Sequence, residues 1–324
     1  MGGAATLTIG CRKSRNETTE QEPSFTVTKL GPATTATPAA STETDAQSIE
    51  PGLAEMMFDF PSVSFGAERA LVIAPRGQDA GERFPVLVAL HGRGESVRGA
   101  TAGARGWMDD YELGRSVARL RSPPLLREDF RGFVEDARLA RLNASLLERP
   151  YRGLVVVCPW VPDILSNRDR ANLDAAEPFG AFIVEELLPR VVAEAPALAD
   201  RGSTGIDGVS LGGRASMLVG FAHADRFGAV GTLQAAVQDS EASAFTARAR
   251  AALGKSPQRI RLLTSDRDPF AGPIGETHRA FDEGRIPHDY LVIPGPHDYA
   301  FNRGPGGIEM LLWHDRVLRG EPPL

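Results

Sequence analysis

From Met56 onward the chain alternates between two kinds of apolar pattern. Short continuous runs rich in Val, Ile and Leu predict strands at Ser62–Phe65, Ala70–Ala74, Val86–Leu90, Leu154–Cys158, Gly205–Val209, Ala229–Leu233, Ile260–Thr264 and Tyr290–Ile293. Several show no polar alternation, the mark of strands covered on both faces. Between them lie helical patterns. Phe182, Ile183, Glu186, Leu187 and Val191 outline one helix that must end before Pro196. Arg214–Ala224 and Ile308–Leu318 outline two more. Such strand–helix alternation predicts an α/β fold with a mainly parallel central sheet flanked by helices. The first strands predict an antiparallel hairpin leading into that sheet.

Residues 96–150 are far more than a simple crossover between two strands needs. They hold Trp107, Tyr111 and several helix-like stretches, so a helical insertion is expected, either a cap over the site or an elaborated crossover. The folded domain is placed at 56–324. Residues 12–55 are rich in Thr, Ser, Pro, Ala and Glu and bury too little to offset their ordering entropy, which predicts a disordered linker. Residues 1–11 are small and apolar and end at Cys11, which resembles the end of a bacterial lipoprotein signal, truncated because it lacks a basic n-region and has only a short apolar stretch. Lipidation at Cys11, membrane anchoring through that lipid and an envelope or secreted location are the corresponding expectations, with the cytoplasm as the alternative. Gly2 and Thr6 also fit the N-myristoylation pattern, which is short enough to arise by chance.

Composition narrows the function classes. Apolar residues make up 42% of 324, enough for a large core, and the net charge of −6 argues against a nucleic-acid partner. Cys158 closes an apolar run and reads as a buried strand thiol; with Cys11 far away in a polar tail, neither a disulfide nor a metal cluster is expected. No H-E-x-x-H occurs, so a metallohydrolase is disfavoured. No apolar stretch is long enough to span a bilayer, and no internal repeat is present.

Gly208-Val209-Ser210-Leu211-Gly212-Gly213 matches G-x-S-x-G, the nucleophile elbow, in which a serine sits on a sharp turn between strand and helix. The motif is weak alone, but a predicted strand precedes it and a predicted helix follows. Ser210 is therefore the candidate nucleophile. In this fold the chain order is serine, acid, histidine, so the base must lie late. His297 follows the last strand run in Pro294-Gly295-Pro296-His297-Asp298-Tyr299. His278 and His314 fall in helical stretches and His288 precedes its strand, so these read as packing or surface residues. Asp268, followed by Pro269, is preferred over Asp266 as the acid that orients His297. Asp298 reads as a loop cap. The backbone amides of Arg93, after His91-Gly92, and of Leu211, after the nucleophile, are the expected oxyanion donors, and His91 reads as a structural histidine bonding the loop. Gly92 and Trp160 are candidate substrate-binding positions, and Trp107 and Tyr111 are further candidates for the pocket wall. Trp160 fits core packing equally well.

With these segments placed, the chain resembles the putative-esterase family of α/β-hydrolases, which includes esterase D-like enzymes, feruloyl and acetyl-xylan esterases and the mycolyltransferases. The resemblance rests on Phe84–Gly92, Gly208–Gly213, Asp268-Pro269-Phe270 and Gly295–Tyr299, and spans residues 62 to 318. It implies the α/β-hydrolase fold, a Ser210–Asp268–His297 triad, no cofactor, and an acyl-enzyme route to hydrolysis of a small-molecule or polymer-borne ester. Acyl transfer to an alcohol, as in the mycolyltransferases, a serine peptidase on the same scaffold and an inactive binding module are the alternatives. Residues 96–150 depart from the shorter connection expected in the family and leave the substrate open.

Overall fold

A computed structural model describes residues 52–63, 66–76, 81–165 and 172–323. Cys11, Gly2, Thr6 and most of the expected linker lie outside the described residues. Eight strands form one sheet: β1 (Leu53–Val63), β2 (Gly66–Pro75), β3 (Val86–Leu90), β4 (Val155–Pro159), β5 (Thr204–Gly208), β6 (Ala229–Leu233), β7 (Arg259–Arg267) and β8 (Asp289–Pro296). Their order is β1-β2-β4-β3-β5-β6-β7-β8. β1 and β2 pair antiparallel, as do β2 and β4, and every pairing from β4 through β3 to β8 is parallel. This is the mainly parallel α/β sheet that the alternation predicts, with the hairpin leading in, and it fits the α/β-hydrolase fold that the resemblance implies.

The strand runs read as continuous because both faces are covered. Val86, Val88 and Leu90 enter one core with Ile206, Val230 and Leu262, under the helical run from Glu177 to Glu194 and the helices Leu211–Ala222, Ala242–Lys255 and Ala271–Glu283. Leu87 and Ala89 enter the other, with Val156, Cys158 and Leu263, beneath the helix Gly307–Val317. Cys158 is 1% exposed and free, and burial pushes its thiol pKa up, consistent with an inert packing residue. The first strand expectation shifts. β1 begins at Leu53 instead of Ser62, because this edge strand buries only alternate residues such as Phe58 and Phe60 and leaves Asp59 exposed, a pattern weaker than a continuous run. Ser64 and Phe65 fall outside the described residues.

Residues 96–150 resolve the choice between cap and crossover. Trp107, Leu113, Val117, Leu120, Phe130, Leu142 and Leu146 are buried in the second core together with strand residues Leu71, Ile73 and Leu87. The segment is thus an elaborated helical crossover from β3 to β4 that covers one face of the sheet. Among the described residues no helix is long and apolar enough to cross a membrane.

Candidate active site

In a parallel sheet the loops leaving the C-terminal strand ends converge on one edge. Here β3, β5, β7 and β8 deliver Gly92, Ser210, Asp268 and His297 to that edge. Ser210 stands between β5 and the helix Leu211–Ala222, with φ 57° and ψ −114°. A side chain in that region costs about 1–3 kcal/mol, and the surroundings hold it there. The Ser210 amide donates to Leu233 O at 3.0 Å, and its carbonyl accepts from Arg214 N at 3.0 Å and Ala236 N at 2.9 Å. The flanking glycines are steric requirements. A Cβ on Gly212 would lie 2.3 Å from Leu90 O, and one on Gly208 would lie 2.5 Å from the Gly212 carbonyl carbon. Substitution at either would push the nucleophile strand off β3.

His297 ends its strand with Nδ1 donating to Asp268 Oδ1 at 2.8 Å. Asp268 is 6% exposed and is itself fixed at both oxygens: Phe270 N donates to Oδ1 at 2.9 Å, and Thr264 Oγ1 donates to Oδ2 at 2.6 Å. Asp266 is turned elsewhere, accepting from Gly295 N at 2.8 Å beside Arg267. Of the two carboxylates, the structure brings Asp268 and not Asp266 to His297. Asp298 accepts from Phe301 N at 3.1 Å and caps the short helix Tyr299–Phe301, matching its expected role.

A cleft of about 210 Å³ opens here, with Gly92, Arg93, Tyr111, Ser210, His297 and Tyr299 in its wall. A larger cavity of about 550 Å³ lies at the opposite strand ends among Arg76, Arg83 and Arg121. It contains neither the serine nor the histidine, so the smaller cleft is the one equipped for chemistry. The Arg93 and Leu211 amides each open a helix, where the first N–H groups lack intrahelical acceptors. Among the described residues neither donates to a protein acceptor. The Arg93 side chain turns outward to Asp163, 2.9 Å away. Gly92 reaches Ser210, since a Cβ there would sit 3.8 Å from Ser210 Cβ. Trp160 is placed differently from Gly92. Its indole donates to Ser96 O at 2.9 Å and its ring lies against Gly103, so it packs on the crossover and is not in the cleft wall.

The other histidines are structural. His91 is fully buried, donating from Nδ1 to Gly92 O at 2.8 Å and accepting from Val161 N at Nε2, 2.9 Å. Burial lowers its pKa to about 4, so it stays neutral and holds the loop. His314 is buried against Asp207, 3.0 Å away, and Asp207 also takes Arg261 at 3.0 Å; burial lowers the His314 pKa. His278 and His288 share a 2.8 Å hydrogen bond. With Asp282 they place ligand-capable atoms within 4.8 Å of one another, away from the cleft.

The sequence gives no signal for the most enclosed polar group of the cleft. Glu95 is 1% exposed, yet its carboxylate accepts from the Tyr111 hydroxyl, from the Tyr299 hydroxyl at 2.7 Å, and faces Arg98 at 3.5 Å. Tyr111 lines the cleft, as expected of it; its neighbour Trp107 is fully buried behind it, edge-on at 4.9 Å, and is not in the cleft wall.

Comparison with known proteins bears on the family and the fold. Residues 161–285 match the model of the putative esterase family, as the sequence resemblance leads one to expect. No curated protein matches the sequence. Among solved structures, S-formylglutathione hydrolase (FrmB) from Staphylococcus aureus aligns at TM-score 0.57 and 16% identity, covering 82% of this chain and 97% of that one. A fluorophosphonate-binding serine hydrolase, FphF, of Staphylococcus aureus aligns at TM-score 0.56 and 14% identity, covering 82% and 99%. The CE1 ferulic acid esterase of Anaeromyces mucronatus aligns at TM-score 0.51 and 20% identity, covering 78% and 88%. At these identities the likeness establishes the fold.

Proposed function

On the premise of the family match and the α/β-hydrolase fold, we propose that this protein is a serine carboxylic-ester hydrolase. The observation that carries the reading is the 2.8 Å hydrogen bond from His297 Nδ1 to a buried Asp268, in the same cleft wall as a serine on a strained elbow. Asp268 fixes the tautomer that leaves His297 Nε2 as the base. Ser210 Oγ attacks the ester carbonyl carbon while His297 Nε2 takes the hydroxyl proton. The carbonyl oxygen takes up negative charge at the Arg93 and Leu211 amides; losing one such donor costs about 3 kcal/mol. The tetrahedral intermediate collapses, the C–O bond to the alcohol breaks, and His297 returns the proton to the departing oxygen. Water, deprotonated by the same nitrogen, then attacks the acyl carbon; the bond to Ser210 Oγ breaks, His297 returns the proton to that oxygen, and the acid is released.

The test is labelling by a fluorophosphonate probe in wild type and Ser210→Ala, with circular dichroism of both. The expected result is labelling of wild type alone, together with hydrolysis of p-nitrophenyl acetate that Ser210→Ala abolishes. A folded wild type that neither labels nor hydrolyses the ester would overturn the reading.

A further inference from the structure

Glu95 occupies an expensive place. Its carboxylate is buried, and Gly106 lies so close that a Cβ there would meet Glu95 Cγ at 2.6 Å. A buried carboxylate is tolerated only where donors satisfy it, and here the donors come from two loops of the cleft. Tyr111, from the crossover, donates to Oε2, and its hydroxyl oxygen accepts from Gly92 N at 3.1 Å. Tyr299, two residues beyond His297, donates to Oε1 at 2.7 Å. His91 Nδ1 meanwhile binds Gly92 O. The Gly92 residue is therefore clamped at both its N–H and its C=O, immediately before the Arg93 amide and within van der Waals reach of Ser210.

We infer that Glu95, acting through Tyr111 and Tyr299, is a positioning residue that sets the oxyanion loop Gly92-Arg93 against the His297 loop. The inference rests on the ester-hydrolase reading and deepens it. Its chemical logic is that an oxyanion donor works only if it is already aimed before charge develops, because reorienting a peptide during reaction forfeits the stabilisation. The Gly92–Arg93 peptide, which carries the Arg93 amide, is held at its carbonyl by His91 Nδ1, and the Tyr111 hydroxyl holds the Gly92 amide one peptide earlier, so together they fix the Gly92 backbone that aims the Arg93 N–H. Tyr299 ties the same carboxylate to the segment that carries the base, so both halves of the machinery refer to one buried group. Burial and the neighbouring Glu95 raise the Tyr111 pKa well above the usual range, and the hydrogen bond to Glu95 pushes Tyr299 to about 12, so both remain donors across the working pH range.

The experiment compares wild type with Tyr111→Phe, Glu95→Gln and Glu95→Ala, using p-nitrophenyl acetate kinetics, the rate of fluorophosphonate labelling, and melting temperature. Tyr111→Phe removes the hydroxyl that holds Gly92 N and leaves the ring in place. The expected outcome is a fall in kcat of about 10- to 100-fold with KM within about threefold, and a parallel fall in labelling rate, since phosphonylation builds the same oxyanion. Glu95→Gln still accepts one tyrosine through its carbonyl oxygen and should fall between wild type and Glu95→Ala. A merely structural role would move the melting temperature without this kcat-specific loss and its graded order. Unchanged kcat and labelling in folded Tyr111→Phe, with wild type still labelled at Ser210, would sink this inference alone. A loss confined to KM would likewise overturn it in favour of substrate binding. An unlabelled, inactive wild type would sink the ester-hydrolase reading and the positioning role with it.

Discussion

Replacing Asp268 with Asn is the sharpest probe of the site, because the structure dictates which way the amide must lie. Oδ1 accepts from both His297 Nδ1 and Phe270 N, at 2.8 and 2.9 Å, while Oδ2 accepts from the Thr264 hydroxyl. An Asn side chain can satisfy Phe270 N only with its carbonyl oxygen at the Oδ1 position. Its NH2 then faces Thr264 Oγ1, which can turn from donor to acceptor. In this orientation the carbonyl still accepts from His297 Nδ1–H, so the productive tautomer survives. What disappears is the charge: a hydrogen bond from imidazolium to carboxylate, worth about 1.5–3 kcal/mol and strengthened by burial, becomes one to a neutral amide worth about 1 kcal/mol. A loss of about 0.5–2 kcal/mol in the transition state corresponds to a roughly 2- to 30-fold fall in kcat/KM. This is far short of the roughly 10⁴-fold that accompanies a reversed tautomer in the well-known serine-protease case. Thr264 is fully buried and loses its acceptor, so stability should drop by about 1–3 kcal/mol as well. The assay is kcat/KM for p-nitrophenyl acetate in wild type, Asp268→Asn and Asp268→Ala, at a temperature where all three are folded. A 10⁴-fold loss in Asp268→Asn, equal to that in Asp268→Ala, would show that the amide is reversed and the argument from Phe270 N wrong.

Two further predictions concern the scaffold. Gly212→Ala should unfold the elbow region or cost upwards of about 3 kcal/mol in urea denaturation, since its Cβ would lie 2.3 Å from Leu90 O and 2.6 Å from His91 O, both backbone; a stable, active Gly212→Ala protein would contradict the fit between elbow and β3. Glu68 is 1% exposed, its Oε2 has no hydrogen-bond partner among the described residues, and burial raises its pKa from 4.5 to about 8. The folded protein thus keeps a proton that the unfolded chain releases near pH 4.5, and stability falls as pH rises through this window. Between pH 6.5 and 8 the fall is about 2 kcal/mol, at 1.36 kcal/mol per pH unit. Glu68→Gln keeps an acceptor for Arg69 N and should lose this decline; urea midpoints that fall in parallel for both proteins would refute the assignment.

Much of this molecule is legible along the chain. Val86–Leu90 is uniformly apolar and Ala229–Leu233 has only Thr232 as a polar residue, because a parallel strand must satisfy a core on each face, and both become strands with the bounds expected. The G-x-S-x-G spacing marks a strand-to-helix turn whose flanking positions tolerate no side chain, so Ser210 lands on a strained turn between strand and helix. His297 could be placed from its position after the last strand run, since chain order and strand direction together fix the edge at which it emerges. The remainder depends on approach between distant segments. Asp266 and Asp268 differ by two residues, and only the path of the β7–helix turn decides that one meets His297 while the other meets Gly295 N. Trp160 lies at the correct strand end, yet packing against Gly103 and Ser96 draws its ring into the crossover. Glu95 looks like an ordinary surface acid in the sequence. Its burial requires donors from Tyr111 and Tyr299, the latter 204 residues away, and no local pattern can announce a partner that only folding supplies. The sequence by itself determined the layers, the elbow and the strand edge that bears the chemistry, because these follow from short-range sterics and periodic burial. Which polar groups meet at that edge was decided by tertiary structure alone, because a buried charge is stable only where the whole chain brings its counterparts within hydrogen-bond reach.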